Sequence, residues 1–195
     1  IETFGLFSLA WMVLFFVSSI QQAFLTAPLF ALTPKQESPS QWISKLYFIQ
    51  LIFSVLSFFV VITIVEATLY FNPEWKFDGI SSILGGLVAV YLFNDFSRRV
   101  LFTTHQPKKV FFIDIVGYGL QPLFIIGLFV SNALNLQTAL AAILGAQTLS
   151  LAYIIIRVRP ILDFSNLTPT LSIVWKYSRF LLATALLQWS SANYI

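Results

Sequence analysis

Long apolar runs separated by short polar gaps dominate the chain. Five runs reach the roughly 20 helical residues needed to cross a hydrocarbon core about 30 Å thick. They cover residues 4–32, 43–71, 80–102, 110–130 and 136–156, and a sixth run begins at Phe180. Because backbone polar groups in lipid must be satisfied internally, each run predicts a spanning α-helix. The expected fold class is all-α: a polytopic transmembrane helix bundle with five complete spanning helices and the start of a sixth.

The gaps between the runs are short, polar and rich in proline, as expected for loops at the two membrane faces. Ten of the eleven Lys and Arg residues lie in alternate gaps or in the run ends that flank them, and Lys76 is the exception. These ten are Lys35, Lys45, Arg98, Arg99, Lys108, Lys109, Arg157, Arg159, Lys176 and Arg179. Because cytoplasmic loops carry an excess of Lys and Arg, we expect these gaps in the cytoplasm and the turns at 72–79 and 131–135 outside.

This orientation makes the first run enter the membrane from outside, which predicts at least one further spanning helix before Ile1. The chain opens without Met and stops about 16 residues into its sixth apolar run. We therefore expect a fragment of a longer membrane protein. Residues 1–157 are expected to form a transmembrane bundle, 158–179 a cytoplasmic linker between two bundles, and 180–195 the start of the next spanning helix.

Composition supports lipid as the solvent, since 58% of the residues are hydrophobic and only 10% are charged. The basic loops account for the net charge of +3, so no nucleic-acid partner is predicted. The absence of cysteine excludes disulfides and thiolate metal sites, and neither a metal nor a cofactor is predicted. There is no HExxH, GxSxG or P-loop motif and no acidic cluster suited to Mg²⁺, which favours a membrane transporter over an enzyme.

Polar residues recur at helical spacing inside the runs, where such residues normally face protein or water. The candidate substrate-binding amides are Gln22, Gln121 and Gln188. Gln22, for example, lies four residues after Ser18 and four before Thr26. Amides, hydroxyls and aromatic rings together suit a cavity for a neutral carbohydrate. The alternative is that these side chains only hold the helices together.

Two prolines, Pro28 and Pro122, lie within runs one and four. Each removes a backbone donor and predicts a kink in its helix. Such kinks could act as hinges in alternating access, or they could serve static packing.

The charged residues near the end of the third run form the sharpest pattern. Asp95 precedes Arg98 and Arg99 by three and four residues, so all three share a helix face and are expected to form a local ion pair. The functional interpretation is a cluster whose forked Arg groups, with Lys108 and Lys109 nearby, bind a lipid pyrophosphate. The alternative is a topology anchor that reaches anionic headgroups.

Two further acids lie in apolar runs, Glu66 in the second and Asp114 in the fourth. A carboxyl group at membrane depth is a candidate for ion coupling. Glu66 can equally be interpreted as reaching the outer interface.

Three segments resemble a known family. ETFGLFSLAWMVLFFVSSIQQAFLTAPLF is similar to the second helix of polysaccharide-type flippases of the multidrug/oligosaccharidyl-lipid/polysaccharide (MOP) exporter superfamily. A second segment looks like their fourth helix, basic loop and fifth helix, where a DF-x-RR-x-x-F pattern is typical. This segment is FNDFSRRVLFTTHQPKKVFFIDIVGYGLQ. Their seventh helix looks like FLLATALLQWSSANYI. Arg98 and Arg99 match the pattern directly.

The resemblance implies the first lobe of a two-lobe, MATE-like transporter without its first helix, followed by the start of the second lobe. It implies that a lipid-linked oligosaccharide of the undecaprenyl-pyrophosphate type is moved across the bacterial inner membrane by alternating access. This transport would serve the assembly of O-antigen, capsule or exopolysaccharide, and polysaccharide assembly proteins would be possible partners. A drug or cation antiporter of the same superfamily and a membrane-embedded glycan polymerase or ligase are the alternatives.

Overall fold

The computed structural model describes residues 2–71 and 79–192, with side chains from residue 5 to 71 and from 79 to 191. Over these residues the protein is all-helical. We number six helices: α1 from Glu2 to Lys35, α2 Pro39–Phe71, α3 Ile80–Thr103, α4 Pro107–Val130, α5 Leu136–Val158 and α6 Leu167–Ala192. The predicted outer turn at 72–79, with Lys76, lies almost entirely outside the described residues, as do Ile1 and residues 193–195 of the sixth run.

Five of these helices, α1 to α5, are long and apolar enough to cross a membrane. The candidate spans, the first of which begins at Gly5, are 23 to 33 residues long and correspond to the five predicted runs. This confirms the prediction of a bundle of candidate spanning helices. α2 and α4 each begin three or four residues before their apolar run, at Pro39 and Pro107. Proline is favoured at the first helical position, because an N–H there has no partner within the helix.

The last helix differs from the expectation in where it begins. α6 is continuous from Leu167 to Ala192, so the residues before Phe180 are already helical. Pro169 lies in the first turn, where a proline does not break the backbone hydrogen-bond pattern. α6 packs against the middle of α1, where Ser178 is fully buried.

The centre of the bundle is α3, which packs along α2 on one side and α5 on the other. In its most apolar stretch 61% of the residues are buried, against 11% in α4, which lies at the periphery. Gly85 permits the closest approach to α2, since an added Cβ would lie 3.0 Å from Ile62 Cγ1 and 3.1 Å from the Phe58 carbonyl oxygen. Small residues at such crossings allow membrane helices to pack closely.

Three helices contain a five-residue π-helical turn, and each turn lies just before a proline. The turns are Gln22–Thr26 before Pro28, Ile115–Gly119 before Pro122, and Ile154–Val158 before Pro160. A proline has no N–H to donate and its ring crowds the carbonyl four residues earlier, so the preceding turn widens. The predicted irregularities at Pro28 and Pro122 therefore take the form of wide turns that leave carbonyl groups without a donor from their own helix.

Candidate anion-binding cluster

Four charged side chains come together between α3 and α4. On α3, the buried Asp95 carboxylate accepts a hydrogen bond from Arg99 Nε at 2.6 Å, and its other oxygen lies 3.5 Å from Arg98 Nη1. These are the contacts expected for residues three and four apart on a helix. The predicted local ion pair is therefore present.

Arg98 also reaches across to the neighbouring helix. Its Nε lies 2.6 Å from Asp114 Oδ1, and its Nη2 donates to Oδ2 at 3.1 Å. Both contacts join the guanidinium group to one carboxylate, but only the Nη2–Oδ2 contact has hydrogen-bond geometry. Arg is suited to planar anions because its N–H donors form a planar fork. The sequence prediction considered Asp114 only as a coupling acid and missed this bridge. The sequence carried one indication of this contact. Arg98 lies seven residues before His105 in the α3–α4 turn and Asp114 lies nine residues after it, which places them at similar heights on two neighbouring helices.

Aromatic hydroxyl groups border the cluster on its membrane-centre side. The Arg98 guanidinium carbon lies 5.4 Å from the centre of the Tyr118 ring, within the range of a cation–π contact. The side chains of Tyr118 and Tyr91 lie close enough to each other to interact. Tyr118 belongs to the π-helical turn of α4, and its position therefore depends on the local widening before Pro122.

The cluster is electrically balanced and partly accessible. Its two Arg and two Asp side chains cancel in charge, and the exposed fractions of Arg98, Arg99 and Asp114 are 24%, 28% and 35%, against 6% for Asp95. Counted along the helices, Arg98 and Asp114 lie roughly 8 to 10 Å from the α3 and α4 ends at the basic loop, at 1.5 Å per residue. An anion that enters from this face can reach the guanidinium groups, but it must compete with Asp114 for Arg98.

A second polar network holds α3, α4 and α5 together. Asn94 Nδ2 donates to Gln147 Oε1 at 2.8 Å and to the Gln147 carbonyl at 2.9 Å. Gln147 Nε2 and Gln121 Nε2 both donate to the Gly117 carbonyl, at 3.2 and 2.6 Å. In a π-helical turn this carbonyl would pair with the residue five positions on, which is Pro122 and has no N–H. Gln121 is thus turned back onto its own helix, and sequence reasoning missed the roles of Asn94 and Gln147.

The first helix places a different glutamine in the interior from the one expected. Gln21 is fully buried and donates to Gln50 Oε1 at 2.9 Å and to the Leu92 carbonyl at 2.7 Å, whereas Gln22 is exposed. Gln22 begins the π-helical turn Gln22–Thr26, in which hydrogen bonds span five residues instead of four and the α-helical phase of the side chains is lost. Ser18 before this turn and Thr26 at its end are buried, and Gln22 is exposed.

The remaining candidate residues lie away from the cluster. Gln188 is exposed on α6 and, with Thr184, Leu187, Ser190 and Ser191, lines a shallow groove of about 560 Å³. Glu66 accepts a hydrogen bond from Ser81 at the start of α3. Ser81 precedes Arg98 by 17 residues, or roughly 25 Å of helix, so Glu66 and Asp114 lie near opposite ends of the bundle. Among the described residues, no group of three or more His, Cys, Asp or Glu side chains could hold a metal.

No protein-family model matches the chain, and comparisons with curated proteins and with solved structures likewise find no match. The functional inference therefore depends on the geometry of the cluster and on the sequence resemblance.

Proposed function

We propose that the chain belongs to a flippase that moves lipid-linked oligosaccharide or polysaccharide repeat units across the bacterial inner membrane. The observation that carries this proposal is the Arg98–Asp114 ion pair. It presents a partly exposed guanidinium group about one and a half helical turns from the end of α3 at which basic loops collect. A diphosphate linked to an isoprenoid carrier would meet this group as it enters from the cytoplasm.

The chemistry of the cluster suits exchange between two anions. A pyrophosphate offers oxygens that match the guanidinium fork as well as a carboxylate does, and it carries more charge. Arg98 would pass from Asp114 to the substrate, while Arg99 stays with the buried Asp95 and keeps the cluster in position. The Tyr91 and Tyr118 hydroxyls lie beside the exchange and offer further hydrogen bonds.

This exchange would couple binding to helix movement. Asp114 is the charged contact from α4 to α3, and α4 is the least buried of the five candidate spanning helices. A substrate that binds Arg98 in place of Asp114 would weaken this contact and the packing of α4 against α3. In a two-lobe transporter such loosening would favour the rocking step of alternating access.

The sugar would lie against polar side chains that the bundle leaves uncovered. Gln22 of α1 and Gln188 of α6 are both exposed, and these two helices pack against each other. Exposed amides at membrane depth require protein or water beside them, as a hydrated cavity would supply. Gln121 is less suited to this role because its amide already donates to the Gly117 carbonyl.

The test is surface polysaccharide production in the native host after replacement of the chromosomal gene. We expect Arg98→Gln to reduce polymer at least about tenfold at normal protein level, since one lost charge-assisted contact is enough for such a change. The matched control is Arg157→Gln with Lys176→Gln, which removes two exposed charges from the basic side of the chain outside the cluster. Unchanged polymer in Arg98→Gln, Arg99→Gln and their combination would reject the role of the cluster.

Ion-coupled antiport is the second candidate within the same superfamily, because α2 and α4 each carry a carboxylate. Both acids have partners in the chain, Glu66 with Ser81 and Asp114 with Arg98, so a coupling cation would have to displace them. Proton-driven drug efflux that is lost in Asp114→Asn, with normal polysaccharide in Arg98→Gln, would favour this candidate.

Glycan polymerisation or ligation remains the enzymatic alternative. Surface polysaccharide of altered length, instead of altered amount, would indicate this activity.

A further inference from the structure

A groove of about 680 Å³ lies between α2 and α5, on the surface of α3. Both helices pack against α3, and the groove occupies the gap that they leave between them. It lies on a different face of α3 from the charged cluster, since Phe93 in its lining precedes Asp95 by two residues, or about 200° of rotation around the helix. The groove is therefore separate from the Arg98–Asp114 bridge.

The lining of the groove is apolar except at two residues. Apolar side chains come from all three helices and include Val55 of α2 and Ile155 of α5. Among the described residues that line it, only Ser54 and Arg159 are polar, and Ser54 is buried and accepts a hydrogen bond from Gln50. Arg159 is therefore the one charged group of an otherwise apolar lining.

The shape of the groove favours a lipid chain. Arg159 follows the last residue of α5, on the side of the bundle where most basic residues collect. From Leu51 to Phe59 the groove runs along roughly 12 Å of α2 toward the middle of its apolar run. A second protein helix about 10 Å wide would occupy roughly 900 Å³ over that length, more than the groove holds. The groove is thus suited to a narrower occupant that has an apolar chain and a polar end at Arg159.

The charge of Arg159 calls for an anion at this end. Its Nε donates to the Ile156 carbonyl at 3.2 Å, which holds the side chain against the end of α5. Within the described part of the chain Arg159 forms no ion pair with a carboxylate, and the nearby Asp163 interacts with Lys45 instead. The remaining guanidinium N–H groups match the oxygens of a phosphate, which would supply the missing counter-charge.

The backbone at Arg159 indicates that its side chain has a role. Its φ is 55°, in the left-handed region that a β-carbon disfavours, and glycine is the usual residue at a helix end of this kind. The other described non-glycine residues with positive φ are His105, Asn132 and Asn166, which are residue types that adopt this conformation more readily. An arginine in a strained backbone conformation points to a function for its guanidinium group.

We propose that this groove binds one acyl chain of an anionic phospholipid, with the lipid phosphate against the Arg159 guanidinium. The acyl chain would fill the gap between α2 and α5 and lie against Phe93 of α3. The headgroup would stay at the basic membrane face, and the second chain would lie in the surrounding bilayer. This lipid would join the end of α5 to α2, and its binding does not depend on what the chain transports.

The first experiment is a titration of the purified full chain with dioleoylphosphatidylglycerol or dioleoylphosphatidylcholine, with bound lipids counted by native mass spectrometry. We expect the anionic lipid to bind about tenfold more tightly in the tightest binding event, and Arg159→Gln to remove this preference. Arg157→Gln is the matched control, because Arg157 is exposed two residues earlier and does not line the groove. Loss of the same preference in both variants, or in neither, would overturn the proposal.

Arg159→Gly separates binding from folding. Glycine adopts a positive φ without strain, so this variant should unfold at no lower temperature than the unaltered chain. It should nevertheless lose the preference for the anionic lipid. A glycine variant that keeps this preference would overturn the role of the guanidinium group.

A third variant tests the acyl chain without changing the charge. Ala89→Phe places a large ring in the groove and should weaken binding of dioleoylphosphatidylglycerol, whereas Ala152→Phe on the exposed face of α5 should not. Equal binding by these two variants would overturn the assignment of the groove to the chain. Glycerophosphoglycerol, the headgroup without acyl chains, should not displace the lipid at equal concentration, and displacement would assign the site to a soluble anion.

Discussion

Ser178 of α6 donates a hydrogen bond of 2.9 Å to the carbonyl oxygen of Phe24 in α1. Pro28, four residues further on, has no N–H to offer this oxygen as an α-helical partner, and the carbonyl lies in the π-helical turn Gln22–Thr26. The bond therefore joins the last helix to the wide turn that precedes Pro28. Ser178 is fully buried and Phe24 partly buried in the contact between α1 and α6.

Ser178→Ala is expected to lower the free energy of unfolding by about 0.5–1.5 kcal/mol, the range of interhelical hydrogen bonds in membrane proteins. Unfolding by sodium dodecyl sulfate, followed by circular dichroism, measures the change. Ser172→Ala is the control, since it makes the same substitution at an exposed position of α6.

Pro28→Ala tests the cause of this effect. It restores an N–H for the Phe24 carbonyl, so Ser178→Ala should cost less in this background than in the unaltered chain. Equal costs in both backgrounds would show that the two residues do not act on the same carbonyl.

The close approach of α2 and α3 gives a second prediction. Gly85→Ala should destabilise the protein by about 1–3 kcal/mol, because the new Cβ would meet the Phe58 carbonyl oxygen at 3.1 Å and the backbone must move. Gly86→Ala places its Cβ 3.4 Å from Leu144 Cδ2, an ordinary contact, and should be neutral or slightly stabilising. Thermal unfolding of the two variants in one detergent measures the difference, and equal stability would contradict the crossing geometry.

The Arg98–Asp114 bridge gives a third prediction, on stability alone. Its partners are about a quarter and a third exposed, so we expect a coupling energy of about 1 kcal/mol between Arg98→Gln and Asp114→Asn in a double-mutant cycle. The pair Arg99→Gln and Asp114→Asn is the control, because Arg99 bonds to Asp95 instead. A coupling of zero for the first pair would exclude the bridge.

The sequence predicted those features that depend on residues close together along the chain, and it did not predict contacts between separate helices. The five candidate spans were predictable because length and hydropathy are local, and the Asp95–Arg99 pair was predictable because helix geometry fixes a spacing of four. The Arg98–Asp114 bridge depends on how two helices are rotated against each other, which local rules do not determine.

Local rules also failed where two effects compete. Gln21 is in the interior instead of Gln22 because the π-helical turn that begins at Gln22 interrupts the regular α-helical spacing. α6 begins at Leu167 because the tolerance of the first helical turn for proline outweighs the usual association of Pro169 with a loop. The first difference concerns which side chains of an expected helix face the interior, and the second concerns where an expected helix begins.

The last prediction concerns the two glutamines that share the Gly117 carbonyl. Gln147 joins three helices, since it also accepts from Asn94, whereas Gln121 bonds only within α4. Gln147→Leu should therefore cost about 1–2 kcal/mol, because it leaves the buried Asn94 amide with one acceptor fewer and separates α5 from the wide turn of α4. Gln121→Leu removes the shorter bond of 2.6 Å and yet should cost less than about 1 kcal/mol, because Gln147 still serves the carbonyl. Unfolding by sodium dodecyl sulfate gives both values, and a larger loss in Gln121→Leu would mean that the wide turn depends on its own helix instead of on α5.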